Sequence, residues 1–232
     1  MELSERLKTI ALLVDECDCL VDVGTDHGYI PIFLIKNKMC NSIIASDINN
    51  GPLTKARHNI LLEGLQDSIE CRLGNGLSTV FPGEVQCAII AGMGGNLIRD
   101  IINNNIDVVK QLSYAVLQPI QNSEILREYL YNKGFNIIDE ELCEEEGKFY
   151  EIIKTSYGNN TIELQSIFYE ISPLLIRKRH RLINKFINNK FEKYNKIYNS
   201  ISEDSEGAKL RKIEILKKIS ILKEILDMKD IL

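Results

Sequence analysis

No stretch of this sequence reaches the roughly 18 consecutive apolar residues that a membrane-spanning helix needs. The N-terminus, MELSERLKTIALLVDEC, mixes acid and base in an amphipathic pattern. It lacks the basic start and small-residue cleavage site of a secretory signal. A cytoplasmic protein with no membrane association is therefore expected. None of the six cysteines (Cys17, Cys19, Cys40, Cys71, Cys87 and Cys143) forms a CxxC pair, and no histidine lies at zinc-ligand spacing from any of them. Neither a disulfide framework nor a bound metal is expected. Reduced structural cysteines are, with Cys87 inside an apolar run in the core. Internal repeats and long disordered linkers are also missing.

What the chain does have is 232 residues, 44% of them hydrophobic and 26% charged. That is enough for one large domain with a small appendage. The net charge of −5 conceals an asymmetry. Residues 1–160 carry 13 Lys and Arg against 23 Asp and Glu, whereas residues 161–232 carry 15 against 10. An acidic body with a basic tail points to an anionic partner at the tail.

From Leu20 to Tyr157, short apolar runs alternate with amphipathic stretches. Strands are expected at residues 19–24, 42–48, 68–74, 85–92 and 114–119, with helices around GYIPIFLIKNK, GPLTKARHNILLEGL, GGNLIRDIINNN and NSEILREYLYNKG. Apolar strands alternating with helices imply a parallel sheet covered on both faces. FNIIDEELCEEEGKFYEIIKTSYG then reads as two strands joined at Glu146–Gly147, an antiparallel hairpin. The expected domain spans residues 1–158, and residues 159–232 form a second unit. In that unit Pro173 suits a helix start. Ile183, Ile187, Lys190, Tyr194, Ile197 and Ile201 recur at heptad spacing, SEDSEG (202–207) reads as a turn, and Ile215, Ile219, Leu222 and Leu226 continue the pattern. An antiparallel helical hairpin of coiled-coil type follows. A monomer is expected, and a dimer through the coiled coil is the other arrangement such a seam allows.

Ligands of open α/β sheets bind at the carboxyl ends of the strands, where strand order reverses. LVDVGTDHGYIP (20–31) leaves the first strand there, with Gly24 and Gly28 suited to close ligand approach and Thr25, Asp26, His27 and Tyr29 crowded between and beside them. A plain tight turn is the alternative reading of the glycines. Asp47 in SDI, with Ile48 beside it, follows Gly24 by 23 residues. An acid at that distance typically accepts hydrogen bonds from ribose hydroxyls; capping of the next helix by Asp47 or Asn49 is the alternative. Gly74, Asn75 and Gly76 end strand three, where an amide can meet an adenine edge. Gly92, Met93 and Gly94 in AGMGGN end strand four with a low, apolar surface.

VDVGTDHGYIPIFL, ASDINNGPLTKARHN and IAGMGG, in that order on five βα units closed by a hairpin, resemble class I S-adenosylmethionine methyltransferases. More narrowly they resemble the bacterial tRNA (adenine-22-N1)-methyltransferases, a family that also carries a C-terminal helical coiled coil. The resemblance covers nearly the whole chain, TDHGY and GMGG being its most specific parts. It implies a Rossmann-like fold with a mostly parallel seven-stranded sheet, a terminal antiparallel hairpin and a C-terminal helical hairpin. It implies S-adenosylmethionine as cofactor and tRNA as partner. Asp22, Gly24, Thr25, Asp26 and Gly28 then belong to the cofactor loop, Asp47 to the ribose, Gly74–Gly76 to the adenine, and Gly92–Gly94 to the border between methyl group and target base. GMGG stands where methylases of exocyclic adenine nitrogens carry an Asp/Asn-Pro-Pro-aromatic motif, which argues against N6 as the target.

The N1 of adenine is neutral at pH 7 and needs no deprotonation before it attacks a methyl group. Catalysis then consists of alignment and of an acceptor for the charge that develops on the ring. Asp26, His27 and Tyr29 are the catalytic candidates, with Asp26 either accepting that hydrogen bond or pinning the turn. Arg177, Lys178, Arg179, Arg181 and Lys185 in IRKRHRLINK, within about two and a half helical turns, are candidate RNA contacts through phosphate neutralisation. A solvated helix face is the alternative. Two other functions stay open: a class I methyltransferase acting on another RNA base or a small molecule, and a non-catalytic nucleotide-binding module with a partner-binding helical tail.

Overall fold

The computed structural model describes residues 2–202 and 205–227. The chain forms two compact units, Met1–Leu164 and Gln165–Leu232; the sequence pattern placed the join at Gly158. The first unit opens with α1 (Glu5–Leu12), started by Ser4, whose hydroxyl accepts the Leu7 N–H. It continues through β1 (Cys17–Val23), α2 (Tyr29–Lys36), β2 (Cys40–Asp47), α3 (Asn50–Leu62) and β3 (Ile69–Leu73). After a 3₁₀ turn at Gly76–Thr79 come β4 (Cys87–Met93), α4 (Gly95–Asn104), α5 (Ile106–Val109), β5 (Tyr114–Pro119), α6 (Ser123–Asn132), β6 (Phe135–Glu145) and β7 (Lys148–Tyr157).

The seven strands form one sheet in the order β3-β2-β1-β4-β5-β7-β6. The first five are parallel, and β7 runs antiparallel to both of its neighbours. Strand alternation explains the apolar runs. Leu20, Ile43, Ile89, Val116 and Ile152 face one layer with Ile10, Ile30 and Ile60 from α1–α3. Val21, Ile44, Ile90, Leu117 and Ile153 face the other with Ile98, Ile102, Leu126 and Leu130 from α4 and α6. Each such side chain contributes about 1.5–3 kcal/mol by leaving water, so both faces hold the register. Glu146 and Gly147 have φ of +51° and +73°. Positive φ at both central positions is what a two-residue turn needs to match strand twist, so the acidic Glu-Gly pair closes the hairpin. Arg127 of α6, fully buried, ties the hairpin down by bonding Glu140 and Glu151, each at 2.7 Å.

In the second unit, α7 (Ser166–Glu170) and α8 (Pro173–Arg177) lead to α9 (Ile183–Ser200) and α10 (Glu206–Asp227). Ser172 caps α8 through the Leu174 and Leu175 N–H groups, with Pro173 in the first turn. Buried Glu170 accepts from the Tyr194 hydroxyl and, at 2.8 Å, from the Lys218 ammonium. The seam departs from the expected heptads in three places. Phe186 is buried with Ile183 and Ile187, Ile225 rather than Leu226 is the buried residue of the last turn, and Ile201 lies one residue past α9. Residues 203–204 of the expected SEDSEG turn lie outside the described residues. The basic segment is also corrected: it is not one helical run. α8 stops at Arg177, Arg179 has φ +51°, and Arg181 precedes α9, so only Lys185 is on that helix. A left-handed residue cannot continue an α-helix.

Candidate functional site

The chain starts in the middle of the sheet at β1, steps outward to β3, then returns to β4 on the other side of β1. That reversal opens a crevice at the strand carboxyl ends. A cleft of about 310 Å³ occupies it. Val23 and Gly24 line it from β1, Asp47, Ile48 and Asn49 from the end of β2, Gly74–Gly76 from the end of β3, Ala91–Met93 from β4, and Leu97 and Ile101 from α4.

Gly24 and Thr25 both donate backbone N–H groups to the Ser46 carbonyl, at 2.8 and 2.9 Å, pinning the first loop to β2. Gly24 has φ +76°, and a Cβ there would collide with the Met93 methyl. The Met93 methyl ends a flexible side chain, so it is the left-handed backbone rather than the space that calls for glycine here. A Cβ on Gly76 would meet Ile101 at 2.9 Å. Gly28 acts elsewhere. It faces Ala56 of α3, 3.4 Å from the place of its missing Cβ, and is outside the cleft lining. Gly94 faces Gln121 instead. Gly95 permits α4 to start against the β5–α6 loop, where a Cβ would collide with the Asn122 carbonyl oxygen; its N–H donates to the Gln121 carbonyl at 2.8 Å.

Asp47 supports the start of α3 without capping it. Its Oδ1 accepts the Asn49 N–H at 2.7 Å, while Asn49, not Asp47, is the N-cap residue of α3. Oδ2 has no partner among the described residues and belongs to a residue lining the cleft. Asp22 is buried and its carboxyl is pushed up to about 6, first by desolvation, with the Asp47 charge adding to it and the Thr25 hydroxyl opposing it. The buried Thr25 Oγ1 lies near enough to the Asp22 carboxyl to oppose that rise, yet makes no hydrogen bond of good geometry among the described residues. Such a group is costly unless something satisfies it.

Asp26, His27 and Tyr29 come together but do not line the cleft. Asp26 has φ +47°, tolerable for aspartate among non-glycine residues, and its carboxylate lies 3.7 Å from His27 Nε2. The His27 ring stacks on Tyr29 with centroids 5.0 Å apart and planes 10° from parallel. Asn59 of α3 fixes this segment by donating to the His27 carbonyl at 2.9 Å. Sequence reasoning missed Asn49, Leu97 and Ile101 in the lining, and also Arg6 and Gln118 behind β4. Gln118, a fully buried amide in the apolar run YAVLQP, is the one with a sequence signal.

A crevice with glycine-flattened walls and a carboxylate oxygen to spare has room and polarity for an elongated polar ligand. A family model described as tRNA (adenine(22)-N(1))-methyltransferase matches residues 20–224. The chain belongs to that family. The tRNA (adenine(22)-N(1))-methyltransferase of Bacillus subtilis (strain 168) is 30% identical over 221 residues, 93% of each chain. The crystal structure of the B. subtilis enzyme superimposes with a TM-score of 0.87, covering 97% of this chain and 99% of that one. A Streptococcus pneumoniae protein solved with S-adenosyl-L-methionine gives 30% identity and a TM-score of 0.85 over 97% of this chain and 100% of its own. The M. capricolum family member solved with S-adenosyl-homocysteine gives 25% identity and 0.82, over 98% and 99%. In this tRNA (adenine(22)-N(1))-methyltransferase family member, as expected from the sequence, the fold is Rossmann-like: a mostly parallel seven-stranded sheet with an antiparallel hairpin. No helix among the described residues is long and apolar enough to cross a membrane.

Proposed function

We propose that this protein transfers the methyl group of S-adenosylmethionine to N1 of the adenine at tRNA position 22. The observation that carries the reading is the cleft at the β1/β4 reversal, lined by Gly24, Asp47, Asn75, Gly92 and Met93, in a chain of this family. Bound there, the cofactor supplies a methyl group already activated on sulfonium. Asp47, with its unshared oxygen, holds the ribose hydroxyls, and Ile48 covers the adenine beside Gly74–Gly76. The Gly24 backbone admits the cofactor's amino-acid end, with Asp22, Thr25 and Gly28 shaping that loop. Gly92 and Met93 form the apolar wall between methyl and target base, and Gly94, set against Gln121, carries the chain from that wall into α4.

The target nitrogen needs a fixed direction more than a base. The stacked His27–Tyr29 pair offers a flat apolar face with a polar edge, and Asp26 an exposed acceptor for the amino group that acquires charge as the bond forms. The target must first leave its stack, at a cost of a few kcal/mol. Phosphate neutralisation by Arg177, Lys178, Arg179, Arg181 and Lys185, all exposed, supplies binding energy independent of sequence. The working unit is taken to be a monomer in the cytoplasm. Incubation with S-adenosylmethionine and a tRNA transcript, followed by mass-spectrometric mapping, is expected to place one methyl on N1 of adenine 22. A transcript with guanine at that position should gain none. Methylation elsewhere, or cofactor binding without turnover on any tRNA, would refute the reading.

A further inference from the structure

β4 does not run straight into its turn. Its register with β5 steps from Ala91↔Gln118 to Met93↔Pro119, so Gly92 is an extra, bulged residue at the strand's carboxyl end, with φ +75°. A bulge breaks the ladder and re-aims the residues around it. Here the displaced Gly92 N–H donates to a side chain, Gln118 Oε1, at 3.2 Å. The same oxygen accepts from Arg6 Nη1 at 2.8 Å, and Gln118 Nε2 donates to the Pro119 carbonyl at 2.8 Å. Gln118 is fully buried. Arg6 reaches it from α1, 112 residues away in sequence. The Arg6 N–H donates to Glu145 at 3.4 Å, and its guanidinium lies over the Tyr150 ring at 5.5 Å.

A buried amide in an apolar strand is unfavourable unless every polar atom finds a partner, and here both ends of the amide do. Two of the three bonds end on the bulge or on its supporting arginine. The residues the bulge re-aims are Gly92 and Met93, and both line the cleft. Met93, the residue directly after the bulge, extends across to β1 into the space that a Gly24 Cβ would fill. Without the extra residue the strand returns to one-for-one pairing, and side chains beyond it exchange faces.

We propose that Arg6 and Gln118 are positioning residues that hold the β4 bulge and thereby aim Gly92 and Met93 at the reacting centre. The assignment rests on the methyltransferase reading above. Gln118→Leu keeps the approximate volume and removes the acceptor. It is expected to lower kcat for tRNA methylation about tenfold or more while KM for tRNA moves less than about threefold. Backbone amide exchange in the segment 88–97 should accelerate. Gln118→Glu keeps an acceptor for both Arg6 and Gly92 and should return kcat to within about fivefold of wild type. Leu130→Ala, a cavity in α6 away from the cleft, serves as the comparison: it should lower the melting temperature without the loss in kcat. Unchanged exchange in Gln118→Leu, or equal kcat losses in the Leu and Glu variants, would overturn the assignment. If the wild type methylates no tRNA, the functional reading fails, and the exchange comparison alone decides the bulge.

Discussion

Asp22 is the residue whose replacement gives the sharpest test of the site's electrostatics. It is buried at the end of β1, and its carboxyl titrates near 6 instead of 3.8. The native state therefore binds more protons than the unfolded chain between those values, and stability falls as pH rises through that window. Below the unfolded value the neutral carboxyl carries no penalty. Above about pH 7 the ionised group costs the whole difference, about two units or roughly 3 kcal/mol. An amide in its place cannot ionise. Asp22→Asn is thus expected to match the wild type near pH 4 and to exceed its stability by up to about 3 kcal/mol near pH 8, a gain of about 6–12 °C in melting temperature for a chain of this size.

Binding should move the opposite way. On the proposed function the ligand brings a sulfonium and an ammonium, and cations favour the ionised form of a nearby carboxylate. Wild-type affinity for S-adenosylmethionine should rise between about pH 5 and pH 7, while that of Asp22→Asn stays level and weaker. Thermal melts across the pH range and calorimetric titration at three pH values measure both halves. A stability difference between the variants that is the same at pH 4 and pH 8 would refute the argument.

Arg127→Met should cost about 3–5 kcal/mol in a denaturant titration, because it strands two buried carboxylates that now bond Arg127 at 2.7 Å; adding Glu140→Gln and Glu151→Gln should recover most of it. If the single variant is as stable as the wild type, the buried ion triad does not hold α6 to the hairpin. Arg177→Gln with Arg179→Gln should weaken tRNA binding and flatten its log–log salt dependence by up to about two, leaving calorimetric S-adenosylmethionine affinity unchanged. An unaltered slope would remove these two residues from the RNA contact.

The parts of this molecule that were legible in the sequence are those fixed by local pattern. β1, β2, β4 and β5 are buried on both faces, so they read as continuous apolar runs. The Glu146–Gly147 turn was legible from the two strand-like runs it joins and from Gly147, not from Glu146, which takes φ +51° without any intrinsic preference for it. Illegible were features that depend on distant partners. Nothing near Arg6 signals that it will meet Gln118, and nothing in IRKRHR marks Arg179 as the residue that breaks the helix, since arginine has no preference for the left-handed region. Gly24 and Gly28 look alike in sequence; one lines the cleft and the other fits against Ala56, a distinction made by α3 rather than by the loop.

The same division accounts for the crowding in TDHGY. Asp22 and Thr25 turn inward, where burial pushes the Asp22 carboxyl up and the buried Thr25 hydroxyl lies beside it. Asp26, His27 and Tyr29 turn outward into a stacked, solvent-touching group. Of the loop after β1, the cleft wall takes Gly24 alone and none of Asp26, His27 and Tyr29. A loop that meets one ligand with its backbone keeps its side chains for another. On this reading the polar residues are not surplus to the turn: they are the half of it that a second, larger substrate would meet.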